Sequence, residues 1–357
     1  MTNLMYGNLK LNLKNAKEAL LYESYSGTNK DQDLVICKLC SQSCIIAEGK
    51  AGICGVRINQ EGKLYSLSAD RVAAVNLDPV EKKPLYHFFP GTYTLSLGTE
   101  GCNFSCLFCQ NHTLAHDIKS ASRDHCLGRE VNPPGIVAAA LRSGAASISY
   151  TYSEPTVFFE LMLKTAAHAC ESDLKNIIVS NGYQSQKCLV ALKDFVHAAN
   201  FDLKAFSNDF YMKMCGAKLE PVLNTLRKAV EFGWWVEVTT LLIPGENDSD
   251  EELFNLASFI KTELGAHIPW HVSRYRPAYK LKIPPTPPES LAKALDIGKE
   301  AGLSYVYVGN IAGHDGENTY CPECNELLVH RVGYDVEIHT DGTCPKCNIQ
   351  LAGEGWK

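Results

Sequence analysis

Residues 98–112, GTEGCNFSCLFCQNH, place Cys102, Cys106 and Cys109 directly after an apolar run, YTLSLG, with the length and composition of a strand. CxxxCxxC supplies three thiolates, one fewer than a closed structural metal site takes, so either a partner lies elsewhere or one position is left open. On a 4Fe-4S cluster three thiolates leave the fourth iron free for a chelating substrate. The competing reading is a zinc ion completed by His112, but such a closed site has no need of the apolar Phe108 before its last cysteine.

Outward from this stretch, short apolar runs alternate with amphipathic segments. SISYTY, NIIVSNG, NFDLKAF, WWVEVTTLLI, PWHVSRY and SYVYVG read as further strands. Between them PGIVAAALRSGA, TVFFELMLKTAAHA, SQKCLVALKDFVHA, EPVLNTLRKAVEFG, SDEELFNLASFIKTEL and PESLAKALDIGKEAG read as helices, several opening on Pro, Ser or Asp and closing on Gly. Six or seven such βα repeats predict an α/β fold, a partial-to-full (β/α) TIM-like barrel over residues 91–318. Residues 1–90 read as a four-cysteine, β-rich module, and residues 319–357 as a zinc-ribbon-like module.

The chain has 357 residues, 45% apolar and 21% charged, with a net charge of -6, so its charge calls for neither nucleic acid nor an anionic membrane as partner. No long apolar run opens it, which predicts a cytoplasmic protein. Fifteen cysteines in a reducing compartment point to metals rather than disulfides. Eleven fall in three clusters. Cys321, Cys324, Cys344 and Cys347 form two CPxC knuckles suited to one tetrahedral zinc. Cys37, Cys40, Cys44 and Cys54 also offer four thiolates, to zinc or an iron-sulfur cluster; with no redox signal nearby, structural zinc is favoured, which makes two zinc ions in all. Cys126, Cys170 and Cys188 read as inert small residues. Cys215, after the fourth strand, is a weak candidate for a catalytic hydrogen donor or radical relay.

The CxxxCxxC with Phe108 before its third cysteine resembles the radical SAM superfamily. More narrowly, LSLGTEGCNFSCLFCQN, YTYSEPT, VSNGY, FDLKAF, DPVEKKPLYHFFPG and GICGVR resemble the radical SAM enzyme of the AmmeMemoRadiSam system, a relative of pyruvate formate-lyase activating enzymes. The resemblance implies that S-adenosylmethionine chelates the unique iron and is cleaved reductively to a 5'-deoxyadenosyl radical that abstracts hydrogen from an unidentified substrate. It also implies cofactor contacts from Phe108, Glu154, Asn181, Asp202, Lys204 and His271, with Arg274 just beyond. Ser153-Glu154 stands where many members have Gly-Gly-Glu. Plain readings stand beside these roles: a helix cap for Glu154, a turn residue for Asn181, a solvated ion pair for Asp202 and Lys204, and a structural histidine for His271. RYRPAYK and Glu237 are candidates for substrate contact.

Two other functions compete. One is a glycyl-radical activating enzyme, against which counts the absence of an eight-cysteine insert after CxxxCxxC. The other is a zinc-bearing scaffold protein. Expected partners are a substrate, possibly a protein, Memo-like and AMMECR-like proteins, and an electron donor such as flavodoxin or ferredoxin.

Overall fold

The computed structural model describes residues 16–25, 33–120, 128–311 and 314–356; Cys126 lies outside them. The centre is one eight-stranded sheet, β1 (Ala74–Pro79), β2 (Tyr93–Gly98), β3 (Ser147–Tyr150), β4 (Lys175–Ser180), β5 (Ala198–Asp202), β6 (Trp235–Leu242), β7 (Trp270–Arg274) and β8 (Val306–Gly309), laid side by side in chain order. All seven strands from β2 to β8 are parallel, while β1 runs antiparallel to β2. The order is linear from β8 to β1, so the sheet is a partial barrel. β1 precedes residue 91, where the sequence suggested that the barrel would begin.

Between the strands run α2 (Pro133–Arg142), α3 (Phe159–Cys170), α4 (Gln186–Leu192), α5 (Glu220–Glu231), α6 (Asp250–Phe259) and α7 (Pro288–Glu300), with α1 (His112–Ser120) directly after the cysteine stretch. Their starts follow from capping chemistry. The side chains of Asn132, Ser185 and Ser249 accept the N–H groups of Gly135, Cys188 and Glu252 at the openings of α2, α4 and α6. Helices cover the parallel strands, which is why β3 is buried along its whole length although its sequence, SISY, alternates small polar and apolar residues. The sequence reading had no helix at α1, because HTLAHDIKS is only nine residues long, too short for its period to stand out.

The N-terminal module contains two three-stranded antiparallel sheets. Its core is continuous with that of the barrel, and a buried Arg57–Glu160 ion pair at 2.9 Å ties it to α3. The C-terminal module forms a third antiparallel sheet, of Thr319–Tyr320, Leu327–Val332 and Asp335–Ile338, with its own small core around Cys321 and Cys344. It docks on residues 86–89: Arg331 donates to the Tyr86 carbonyl at 3.0 Å, and backbone bonds join Glu354 to His87 and Phe89. The approach is close enough that a Cβ on Gly353 would lie 2.4 Å from the His87 carbonyl oxygen. Among the described residues no helix is long and apolar enough to cross a membrane.

Candidate active site

Parallel strands deliver the residues that follow their C-terminal ends to one mouth. Here they enclose a cavity of 580 Å³ lined by Cys102, Cys106, Phe108 and Cys109 after β2, Thr151–Glu154 after β3, Asn181 after β4, Asp202 and Lys204 at the end of β5, Thr239 and Leu241 in β6, and Ser273 in β7. Five of the six expected cofactor contacts therefore share one cavity with the three thiols.

Each of the five is held differently. Glu154 is buried and caps the short turn Pro155–Phe158; its carboxylate accepts from the Thr156 N–H and hydroxyl, from Ser180 Oγ at 2.8 Å and from the Asn181 N–H at 2.9 Å. Burial raises its pKa against the pull of these donors. Asn181 accepts from the Tyr183 N–H and donates to Asn103 Oδ1 at 2.7 Å, which ties the β4 loop to the cysteine loop. Lys204 Nζ meets Asp202 Oδ2 at 2.9 Å and lies 5.8 Å from the centre of the Phe108 ring. The cap, turn and ion-pair readings are thus all realised, at the cavity wall.

Sequence reasoning missed other lining groups. Thr239 lies two residues beyond Glu237, so strand alternation alone would have put it on the same face. Lys82, Lys83 and Tyr152 surround Asp78, which accepts from all three. Burial opposes the Asp78 charge, but these donors hold its pKa well below the ordinary carboxylate range. Outside the lining, Tyr279 of RYRPAYK, a segment the sequence did mark for substrate contact, stacks with His112 and with His116 at 5.0 and 5.1 Å, while the N–H groups of Lys280 and Leu281 both donate to the Leu107 carbonyl. Burial, helped by Lys119, lowers the His116 pKa to about 4, so this ring is neutral near pH 7.

Two candidates are not brought to this cavity. His271 pairs in register with Thr239 but sits one side-chain layer below the strand end, where its Nε2 meets Glu237 Oε2 at 2.6 Å. It lines an adjoining cavity of 640 Å³, together with Arg274 and Arg276. Glu237 is fully buried and also accepts from the Tyr86 and His87 N–H groups and from the Trp235 indole. Burial works against its charge, yet the His271 hydrogen bond and the nearby imidazoles lower its pKa. Cys215 is also absent from the cavity lining. It ends the wide, five-residue helical turn Tyr211–Cys215, packs with its thiol against Cys106, and accepts the Ser105 N–H on its carbonyl at 2.8 Å.

The donor set can be tested for fit. A tetrahedral zinc with Zn–S bonds near 2.3 Å needs sulfurs about 3.8 Å apart. Among the described residues, one set of metal-ligating atoms lies mutually within 4.8 Å, the sulfurs of Cys321, Cys324, Cys344 and Cys347, with pairs at 3.5 and 3.6 Å. Cys102, Cys106 and Cys109 line one cavity without closing to that spacing, which suits a cluster that places each thiolate on its own iron. The hydroxyls of Ser153 and Thr239, on the same wall, are buried and have no hydrogen-bond partner among the described residues, so the cavity has polar groups ready for a ligand.

Residues 96–257, from β2 into α6, match the model of the radical SAM superfamily. The chain is 44% identical to the uncharacterized protein MJ0808 of Methanocaldococcus jannaschii over 335 residues, 93% of this chain and 97% of MJ0808. The chain belongs to the radical SAM superfamily. It is therefore an enzyme, and membership implies a 4Fe-4S cluster and S-adenosylmethionine. The radical SAM chain is also 23% identical to the pyruvate formate-lyase-activating enzyme of Staphylococcus aureus USA300, over 56% of this chain and 85% of that enzyme. A radical SAM methyltransferase from Sphaerobacter thermophilus superposes with a TM-score of 0.48 at 18% identity, over 67% of this chain and 71% of that one.

Proposed function

We propose that Cys102, Cys106 and Cys109 hold the 4Fe-4S cluster and that Phe108, Glu154, Asn181, Asp202 and Lys204 shape the pocket for S-adenosylmethionine. The observation that carries this is the shared cavity at the strand ends. When bound, the cluster and S-adenosylmethionine supply, after one-electron reduction, a 5'-deoxyadenosyl radical that takes a hydrogen atom from substrate.

The protein's own groups do the positioning. Glu154 locks the β3 and β4 loops together, so the wall is rigid before ligand enters. The Asp202–Lys204 pair offers both signs of charge to a zwitterionic ligand, and the unpartnered Ser153 and Thr239 hydroxyls offer further hydrogen bonds. The loop at Tyr279–Leu281 is bonded to the Leu107 carbonyl, between Cys106 and Cys109 in the chain, and in this reading it helps to limit access of water and oxygen. The adjoining 640 Å³ cavity shares Lys82, Gln110, Ser273 and Asn310 with the thiol cavity and is the space for substrate, with His271, Arg274 and Arg276 along it.

In this reading residues 319–357 carry a structural zinc on Cys321, Cys324, Cys344 and Cys347, supported by their sulfur spacing. An electron donor of the flavodoxin or ferredoxin class reduces the cluster in the cytoplasm, and Memo-like and AMMECR-like proteins are candidate partners. A glycyl-radical activating role is the second reading, favoured by the similarity to the Staphylococcus aureus activating enzyme; it requires a protein substrate and would leave a glycyl radical signal on it. The zinc-scaffold reading gives way to superfamily membership.

The test is anaerobic reconstitution with iron and sulfide, then dithionite and S-adenosylmethionine, measuring 5'-deoxyadenosine from the parent and from Cys106→Ala. The parent forms it and the variant does not. Equal yields from the two would refute the assignment.

A further inference from the structure

A second group of thiols lies behind the active-site wall. Cys37, Cys40, Cys44 and Cys54 surround one small apolar hollow in the N-terminal module. Cys37 ends the strand Leu34–Cys37, Cys44 precedes Ile45–Ile46, and the Cys37 N–H donates to the Cys44 carbonyl at 2.9 Å, which folds this segment back on itself. Cys54 arrives from the loop before Arg57–Gln60.

Three observations bear on what fills the hollow. First, these sulfurs do not form a set within 4.8 Å, whereas the C-terminal four do. One zinc would draw them to about 3.8 Å; a cluster of several irons keeps each thiolate on its own metal and spaces them more widely. Second, two donors on the lining, Arg57 Nε and Asn103 Nδ2, are buried without partners among the described residues, and both residues are 1% exposed. Buried N–H groups left unmade are costly, and an anionic centre with bridging sulfides offers them acceptors. Third, the hollow abuts the cysteine loop. Asn103 lines it while the preceding Cys102 lines the active-site cavity, and Gln42 Nε2 donates to the Asn103 carbonyl at 2.9 Å. Gly101 adopts φ +97° there, and a Cβ on it would lie 2.8 Å from the Cys54 carbonyl oxygen.

We propose that Cys37, Cys40, Cys44 and Cys54 ligate a second, fully coordinated 4Fe-4S cluster, packed against the back of the CxxxCxxC loop. This replaces the structural zinc favoured from the sequence, where no redox signal stands nearby. It adds a redox centre beyond the proposed active site, and it stands or falls separately from that site.

The test uses the full chain, reconstituted anaerobically, desalted and analysed for iron, sulfide and zinc, with EPR after dithionite reduction. The parent should hold about eight irons and about one zinc per chain. The triple variant Cys102→Ala/Cys106→Ala/Cys109→Ala should keep about four irons and a reduced-cluster EPR signal indifferent to S-adenosylmethionine. Cys40→Ser/Cys44→Ser should also fall to about four irons, with the remaining signal responding to S-adenosylmethionine. A parent with about four irons, all lost in the triple variant, overturns the proposal, and about two zinc ions would identify the occupant of the hollow. If instead the triple variant matches the parent at about four irons and Cys40→Ser/Cys44→Ser loses them, the N-terminal cluster stands and the active-site assignment fails.

Discussion

Replacing Glu237 with Gln keeps the size of the side chain and removes its charge. In the parent, Oε1 accepts from the His87 N–H at 2.8 Å and the Trp235 indole at 3.0 Å; Oε2 accepts from the Tyr86 N–H at 3.0 Å and His271 Nε2 at 2.6 Å. Whichever way the amide turns, its NH2 faces a pair of groups that donate in the parent. If it faces the Tyr86 and His271 pair, the imidazole can switch tautomer and accept, leaving one buried backbone N–H unpaired at a cost of about 1–3 kcal/mol. The remaining bonds lose charge assistance, on the order of 1 kcal/mol more. A destabilisation of about 3 kcal/mol follows, or a fall in Tm of roughly 4 °C for a chain of this size. Because Tyr86 and His87 also bond Arg331 and Ala352, the C-terminal module should loosen as well. Anaerobic melting followed by tryptophan fluorescence, with limited proteolysis of the module, measures both. A Tm within about 1 °C of the parent and unchanged proteolysis would refute the claim that this carboxylate anchors the docking segment.

Arg57→Leu leaves Glu160 as an unpaired buried charge and should cost about 3–5 kcal/mol in an anaerobic denaturant titration. Lys204→Met should weaken S-adenosylmethionine binding about tenfold in calorimetry, while iron content stays at the parent level. For Asp78, whose folded pKa is depressed, the stabilisation is full above the unfolded value of about 3.9 and is lost as pH falls toward the folded one. The stability gap between parent and Asp78→Asn should therefore be flat above about pH 5 and shrink below pH 4 in denaturation curves across pH. Tyr279→Ala removes the ring stacked with His112 and His116 and should bleach the reconstituted cluster several-fold faster in air, read from its visible absorbance.

Local signals in the sequence were enough for the strand-helix alternation, because most parallel strands are short, largely apolar runs bounded by caps and glycines that act within a few residues. They also marked the three groups of cysteines, and they placed the residues after β2 to β5 together, because any residue just past a parallel strand arrives at the same mouth. Other features required the assembled molecule. The open sheet edge at β1 depends on pairing across the chain. His271 lies below the mouth because strand length and register set its depth, which the two-residue period does not reveal. Cys215 backs Cys106 because the wide helical turn Tyr211–Cys215 brings it there. The hollow of Cys37, Cys40, Cys44 and Cys54, with two unpartnered donors on its lining, exists only once the N-terminal module packs on the cysteine loop, since sulfur-sulfur distances are a property of packing and not of spacing along the chain.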